Sequence, residues 1–181
     1  MCGDSARTRR SARGGSDRSS SRSAGPIAAQ ESFEVGELDA GGVYRRCAEI
    51  AARLLDAVLR DGPRFEPQPE EGVTYADKID PSERTLDLSR PARELERVVR
   101  ALNPHVGAYL SLPSGERLGV ASARANGERL ERGELRALDG RVLVGAEDGA
   151  LELLEVQPPG KRPMAIADYL RGHELPSRAD A

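Results

Sequence analysis

Between Gly133 and Gln157 apolar and polar residues alternate in short runs: GELRAL, Asp139-Gly140, RVLVGAE, Asp148-Gly149, ALELLEVQ. Asp-Gly between alternating runs predicts a tight hairpin, because Gly accepts the positive φ of a type I′ turn and Asp tolerates it. Two such turns, nine residues apart, predict a three-stranded antiparallel meander. In its last strand Leu151, Leu153, Leu154 and Val156 are interrupted by Glu152 and Glu155. The strand leaves through Gln157-Pro158-Pro159-Gly160, with Lys161 and Arg162 side by side at the exit. Runs at Ala108–Leu112 and Glu116–Ala125 predict two more strands, and Pro163 opens a last helix to about Arg171, ended by Gly172. Five short strands and a helix fit a Greek-key barrel of the OB type.

Helical periodicity marks two further elements. Asp39 is a plausible N-cap for a helix to about Arg60, with Val43, Cys47, Ile50, Ala51, Leu54, Leu55, Val58 and Leu59 on one face. Asp61-Gly62-Pro63 stops it. Its apolar face needs a partner or remains an exposed sticky surface. Cys47 on that face reads as a small core residue, not a nucleophile, because no His lies nearby in sequence. In the second helix Ser89 is the expected cap, Pro91 sits in the first turn, and Leu95, Val98, Val99 and Leu102 line one face. Arg93, Glu94, Glu96, Arg97 and Arg100 form its solvated side, with contact to RNA as the alternative. Upstream, PIAAQESFEV alternates like a strand opened by Pro26.

The layout that follows is 1–24 a tail, 25–64 strand and helix, 65–77 a linker, 78–176 the barrel domain and 177–181 a short tail. Residues 1–24 are Arg, Ser, Gly and Ala with no periodic apolar position, so they cannot bury enough surface to offset ordering and read as disordered. A basic arm for RNA is the alternative there. Phe65–Gly72 holds two Pro and three Glu, the composition of a linker.

Composition narrows the chemistry. The 181 residues carry a formal charge of −3, so any nucleic-acid contact must come from a local cluster and not from overall charge. Of the 27 basic residues only Lys78 and Lys161 are Lys, a bias of nucleotide composition more than of function. Cys2 and Cys47 are too few for a disulfide framework or a metal knuckle. No apolar run approaches a membrane span, and no signal-peptide core follows the basic start; the expectation is a cytoplasmic protein with no metal and no membrane partner.

The segment GALELLEVQPPGKRPM resembles the end of the C-terminal domain of methionyl-tRNA formyltransferases, where a strand runs into Leu-Gln-Pro-x-Gly-Lys-(Lys/Arg)-x-Met. The resemblance extends back through LERVVRALNPHVGAY and VTYADKIDPSERTLDLS to AGPIAAQESFEVG, from about Gly25 to Pro176. Trp is usual in the family where Leu88 stands. The family transfers a formyl group from 10-formyltetrahydrofolate to the amino group of initiator methionyl-tRNA, and its members are usually monomeric. Its catalytic Asp aligns with Ser23, and its catalytic Asn and His positions lie upstream of this chain. The resemblance therefore implies no catalytic residue, no cofactor held by this chain alone, and a fold that is mainly β with α. An OB-like barrel would follow a strand–helix remnant of the α/β formyltransferase domain, and the loss of the family pattern at Ala24 suggests a truncated or frame-shifted gene product.

One stretch imitates a catalytic site. Asn103-Pro104-His105, followed by Ser111-Leu112-Pro113, looks like a degenerate copy of the family's Asn-x-His and Ser-Leu-Leu-Pro. Its position after the Leu95–Leu102 helix instead matches a helix-to-strand turn, so the reading is structural. What remains is binding: Lys161 and Arg162 match the family's basic pair and are the candidate tRNA contacts. The expected function is that of the tRNA-binding part of a methionyl-tRNA formyltransferase, inactive alone. The alternatives are a stand-alone OB-type RNA-binding module and a partner of a separately encoded catalytic half.

Overall fold

The computed structural model describes residues 25–69, 71, 72, 74 and 76–180. The order is α1 (Ala40–Asp61), a 3-10 turn (Pro81–Arg84), α2 (Ala92–Leu102), β1 (Ala108–Ser111), β2 (Arg117–Asn126), β3 (Leu135–Leu138), β4 (Arg141–Gly145), β5 (Ala150–Gln157), β6 (Met164–Ala165) and α3 (Ile166–Leu170). The segment 1–24, read as a tail, and Ser23 within it lie outside the described residues.

The meander forms as one antiparallel sheet in the order β1-β2-β5-β4-β3, with β6 also pairing β5. Its inner face carries Leu110, Leu118, Val120, Val142, Val144, Leu151, Leu153 and Val156, all within 1% of full burial. Across this face α2 lays Leu95, Val99 and Leu102, and α3 adds Ile166 and Tyr169. Leu88 is fully buried in the same core. A core of Leu and Val, with few aromatics, is thus closed by helices on one face of one sheet.

The barrel expected over residues 108–157 does not close. Among the described residues β1 and β3 end the strand order and share no ladder. Each has four residues, and an extended segment lies between them instead. Ser177 and Gly133 carbonyls accept from Leu135 and Ala179 amides at 2.8 and 2.7 Å, and Asp180 N–H donates to the Ser111 carbonyl at 2.9 Å. Ala179 is buried there, so residues 177–180 strap the two edges together.

The two Asp-Gly turns differ. At Asp139-Gly140 both residues have positive φ, 50° and 75°, as the predicted type I′ turn requires. The second hairpin instead turns on Glu147-Asp148, flanked by the Ala146 N–H to Gly149 carbonyl bond. Neither residue has positive φ. Gly149 is needed for proximity: a Cβ there would stand 2.7 Å from the Asn126 carbonyl oxygen. Asp148 serves α2, accepting from the Ala92 N–H at 2.8 Å. Ser89, the expected cap, bonds Asp87 instead, and Pro91 is the capping residue with no side-chain bond of its own. A contact 56 residues away had no signature in local spacing.

Two other expectations are corrected. The strand at 26–35 reduces to one isolated bridge, Ile27 to Glu66, because no neighbouring strand is present to extend it. The last helix is shorter than read, since Met164 and Ala165 extend the sheet first. Helix α1 begins where expected: Asp39 accepts from Gly42 N–H at 2.6 Å. Gly41 sits where a Cβ would meet Pro104 at 2.9 Å, so the start of α1 packs on the turn after α2. Further along, Leu55 and Leu59 are 58% and 76% exposed, and Cys47, expected in a core, is exposed with them.

Candidate functional site

The residues that imitate a catalytic motif hold the fold together. Asn103 Nδ2 donates to the Val99 and Val120 carbonyls at 2.8 and 3.0 Å, tying the end of α2 to β2. His105 meets the Tyr44 ring edge-on at 5.1 Å, joining the turn to α1. The Ser111 carbonyl receives the 177–180 strap. His173 stacks on Tyr169, ring centres 4.3 Å apart, with Nδ1 3.1 Å from the Tyr169 carbonyl. Among the described residues neither imidazole is hydrogen-bonded or ion-paired to a carboxylate, so these two histidines do not form an acid–base pair there. Among the described residues no group of three His, Cys, Asp or Glu could hold a metal, and no helix is long and apolar enough to cross a membrane.

A groove of about 500 Å³ lies between the 3-10 turn and α2, lined by Ile79, Glu83, Asp87, Arg90 and Val98 among others. Its carboxylates are used locally. Asp87 accepts from the Ser89 hydroxyl and amide, which hold it below the usual carboxylate range, and Glu83 accepts from the Asp80 N–H. The groove has no convergent reactive groups.

On the outer face of the sheet stands a polar cluster that the sequence did not disclose. Register places Arg124 opposite Glu152, with Arg141 reaching over from β4. Glu152 is 3% exposed. Arg141 grips it through Nε at 2.9 Å and Nη2 at 3.2 Å, Arg124 Nη2 adds a bond at 2.9 Å, and Asn126 Nδ2 lies at 3.4 Å. The Arg141 bonds pull the Glu152 pKa down to about 2 against the opposing effect of burial, with Arg124 and Asn126 helping. A buried carboxylate with this many donors is satisfied and stays ionised; it is a clamp between strands.

Cations are distributed unevenly. Arg90, Arg100, Arg124, Arg136, Arg141 and Arg178 each reach a carboxylate within 3.5 Å. Lys161 and Arg162, the sequence candidates, are exposed on the β5–β6 loop with no carboxylate partner among the described residues. Their loop is fixed by backbone and amide: the Lys161 N–H donates to the Pro158 carbonyl at 3.1 Å, and Gln157 Nε2 donates to the Lys161 carbonyl at 2.8 Å. The pair is therefore presented on a held turn.

Arg84 and Arg117, too, have no carboxylate partner among the described residues. Both guanidinium groups lie over the ring of Tyr109, at 5.8 and 4.7 Å from its centre. Arg84 also donates its Nε–H to the Gly107 carbonyl at 3.1 Å. Tyr109 pairs with Gly119, and Gly119 with Gln157, so one row across β1, β2 and β5 links this stack to the loop bearing Lys161 and Arg162. Sequence reasoning missed Arg84, Tyr109 and Arg117. No spacing rule joins residues 84, 109 and 117, which meet through the Thr85–Tyr109 bridge and the β1–β2 pairing.

Comparison with known proteins places this geometry in context. The family described as formyl transferase, C-terminal domain, matches residues 78–174. The methionyl-tRNA formyltransferase of Paracoccus denitrificans is 41% identical over 162 residues, covering 86% of this chain and 52% of that protein. That of Rubrobacter xylanophilus is 37% identical over 160 residues, covering 83% and 52%. The chain spans about half the length of the curated relatives it matches. Among solved structures, a HypX variant from Aquifex aeolicus superposes with TM-score 0.65 at 21% identity, over 85% of this chain and 30% of that one. HypX in complex with tetrahydrofolic acid gives 0.63 at 20% identity, over 87% and 31%. At that identity the likeness is one of fold.

Proposed function

This chain belongs to the formyl transferase C-terminal domain family, and from that premise we propose that it is the tRNA-docking portion of a methionyl-tRNA formyltransferase. In this reading residues 78–176 bind initiator methionyl-tRNA, and Lys161 and Arg162 contact its phosphate backbone. The sheet, strapped at its open edges by residues 177–180, serves as an OB-like platform. The complete enzyme would act in the cytoplasm as a monomer and take 10-formyltetrahydrofolate as co-substrate. In this reading the 181 residues alone transfer no formyl group, because Asn103 and His105 are engaged in structural contacts and no acid–base pair accompanies them among the described residues.

The observation that carries the reading is the held loop: two adjacent cations without acidic partners among the described residues, on a turn pinned at both carbonyl and amide. Phosphate contacts of this kind position RNA without reading its sequence. Lys161→Ala with Arg162→Ala is expected to weaken initiator tRNA binding at low salt. It should also flatten the slope of log affinity against log salt by about two, one per lost phosphate contact. An unchanged slope would remove the two residues from the interface.

A second reading is favoured by α1. Leu55 and Leu59 are exposed on a 22-residue helix whose start packs on the turn after α2, beside Leu54, Ala57 and Val58, which are only half-buried. That face suits a separately supplied catalytic half. Mixing the chain with a formyltransferase catalytic domain should restore formylation that neither part performs alone, and Leu59→Glu should abolish the restoration.

A further inference from the structure

We propose that Arg84 and Arg117, whose guanidinium groups both lie over the ring of Tyr109, form a second phosphate-binding pair that extends the tRNA interface across the sheet end; this rests on the docking function proposed above. The argument starts from Tyr109. Its ring is only 8% exposed although it stands in β1, the first strand of the sheet order. It is absent from the main apolar core, and the two guanidinium groups lie against it. Such stacking is directional and leaves the edge N–H groups of a guanidinium free to donate. Arg117 spends no N–H on the protein among the described residues, and Arg84 spends only Nε–H, on Gly107. Two planar donors are thereby held in place before any ligand arrives, which lowers the ordering cost of binding.

The chemistry of the ligand follows from what is covered. A tyrosine only 8% exposed, with two cations against its ring, presents little surface to a base, so the site does not suit nucleobase stacking of the single-strand kind. It can accept negative oxygen atoms in the fork of each guanidinium. The row Tyr109–Gly119–Gln157 crosses two strand spacings, roughly 10 Å, toward the Lys161 loop. Phosphates of one RNA backbone can meet both cation pairs across such a span. Glycine at the centre of the row keeps that path low; a Cβ on Gly119 would already press on Gln157 at 3.0 Å. The interface thus reads backbone phosphate and not sequence, and Tyr109 is its positioning residue.

The test is filter binding of the full 181-residue chain to deacylated initiator tRNA and to an unrelated RNA duplex, from low to moderate salt. The variants are Arg84→Ala/Arg117→Ala, Arg117→Lys, Tyr109→Phe and Lys161→Ala/Arg162→Ala, each checked by thermal melting. The double arginine variant is expected to lose about tenfold in affinity at low salt and about two from the salt slope, equally on both RNAs, with its melting unchanged. Arg117→Lys and Tyr109→Phe should retain the slope, since charge and ring are kept. If the arginine variant keeps the parent slope while the Lys161/Arg162 variant loses it, this inference falls and the docking function stands. A loss confined to one RNA, or one that follows a lowered melting temperature, also overturns the phosphate pair. Absence of binding by the parent chain overturns both.

Discussion

Gly145→Ala is expected to destabilise the protein by about 3 kcal/mol or more, lowering the melting temperature of this domain by more than about 10 °C. The reason is steric and local. Gly145 ends β4, donating its N–H to the Glu134 carbonyl at 2.9 Å and accepting from Gly133 at 3.0 Å. The turn at Glu131–Glu134 folds over it, closed by the Glu134 N–H to Glu131 carbonyl bond at 2.9 Å. A Cβ on residue 145 would overlap the Glu131 carbonyl oxygen and stand 2.7 Å from its carbon. Both are main-chain atoms, so no rotamer change relieves the clash; the turn itself must move. Gly127→Ala, where nothing lies within 4 Å of the new methyl, is the control and should melt close to the parent. Similar melting for the two variants would show that the turn yields freely.

Glu152→Gln is expected to destabilise at neutral pH by a margin that disappears in acid. Arg141 first, then Arg124 and Asn126, hold the Glu152 pKa at about 2, against an ordinary 4.5 in the unfolded chain. A depressed carboxylate contributes stability that is fully present above pH 4.5 and is lost as pH falls through about 2. The linkage corresponds to a contribution on the order of 3 kcal/mol at pH 7, since the carboxylate side chain is only 5% exposed. Urea melts at pH 7, 4 and 2 should show the parent and the Gln variant far apart, then converging. A gap constant with pH would mean that shape, not charge, secures the clamp. Glu152→Leu should restore most of the loss, because the two arginines are about half exposed and can rehydrate.

Local chemistry made much of the fold legible. Asp39 capped the first helix, Asp139-Gly140 made the expected turn, and the alternation in β4 and β5 marked strands correctly. Where the sequence misled, the deciding interaction was distant. Asp148 looked like a turn residue and proved also to cap α2, while Ser89 looked like the cap and turned to Asp87. Glu152 read only as an interruption of the strand's apolar residues, yet cross-strand register gave it two arginines. The 26–35 segment had strand alternation but no neighbouring strand to pair with. Closure failed for a related reason: whether β1 meets β3 depends on strand length and twist, which residue types do not display. Of the candidate site, Lys161 and Arg162 were visible as a motif, and Arg84 and Arg117 were not, because a Thr85–Tyr109 bridge brings in the first and the pairing of β1 with β2 the second.

The central claim is that this polypeptide holds initiator tRNA and leaves the chemistry to another part of the enzyme. Incubating the purified 181-residue chain with initiator methionyl-tRNA and 10-formyltetrahydrofolate, then scoring both retained tRNA and formyl-methionine, tests it most directly. The account predicts salt-sensitive retention of the tRNA with no formyl-methionine formed. Formyl-methionine in the product, or no retained tRNA at low salt, would contradict it.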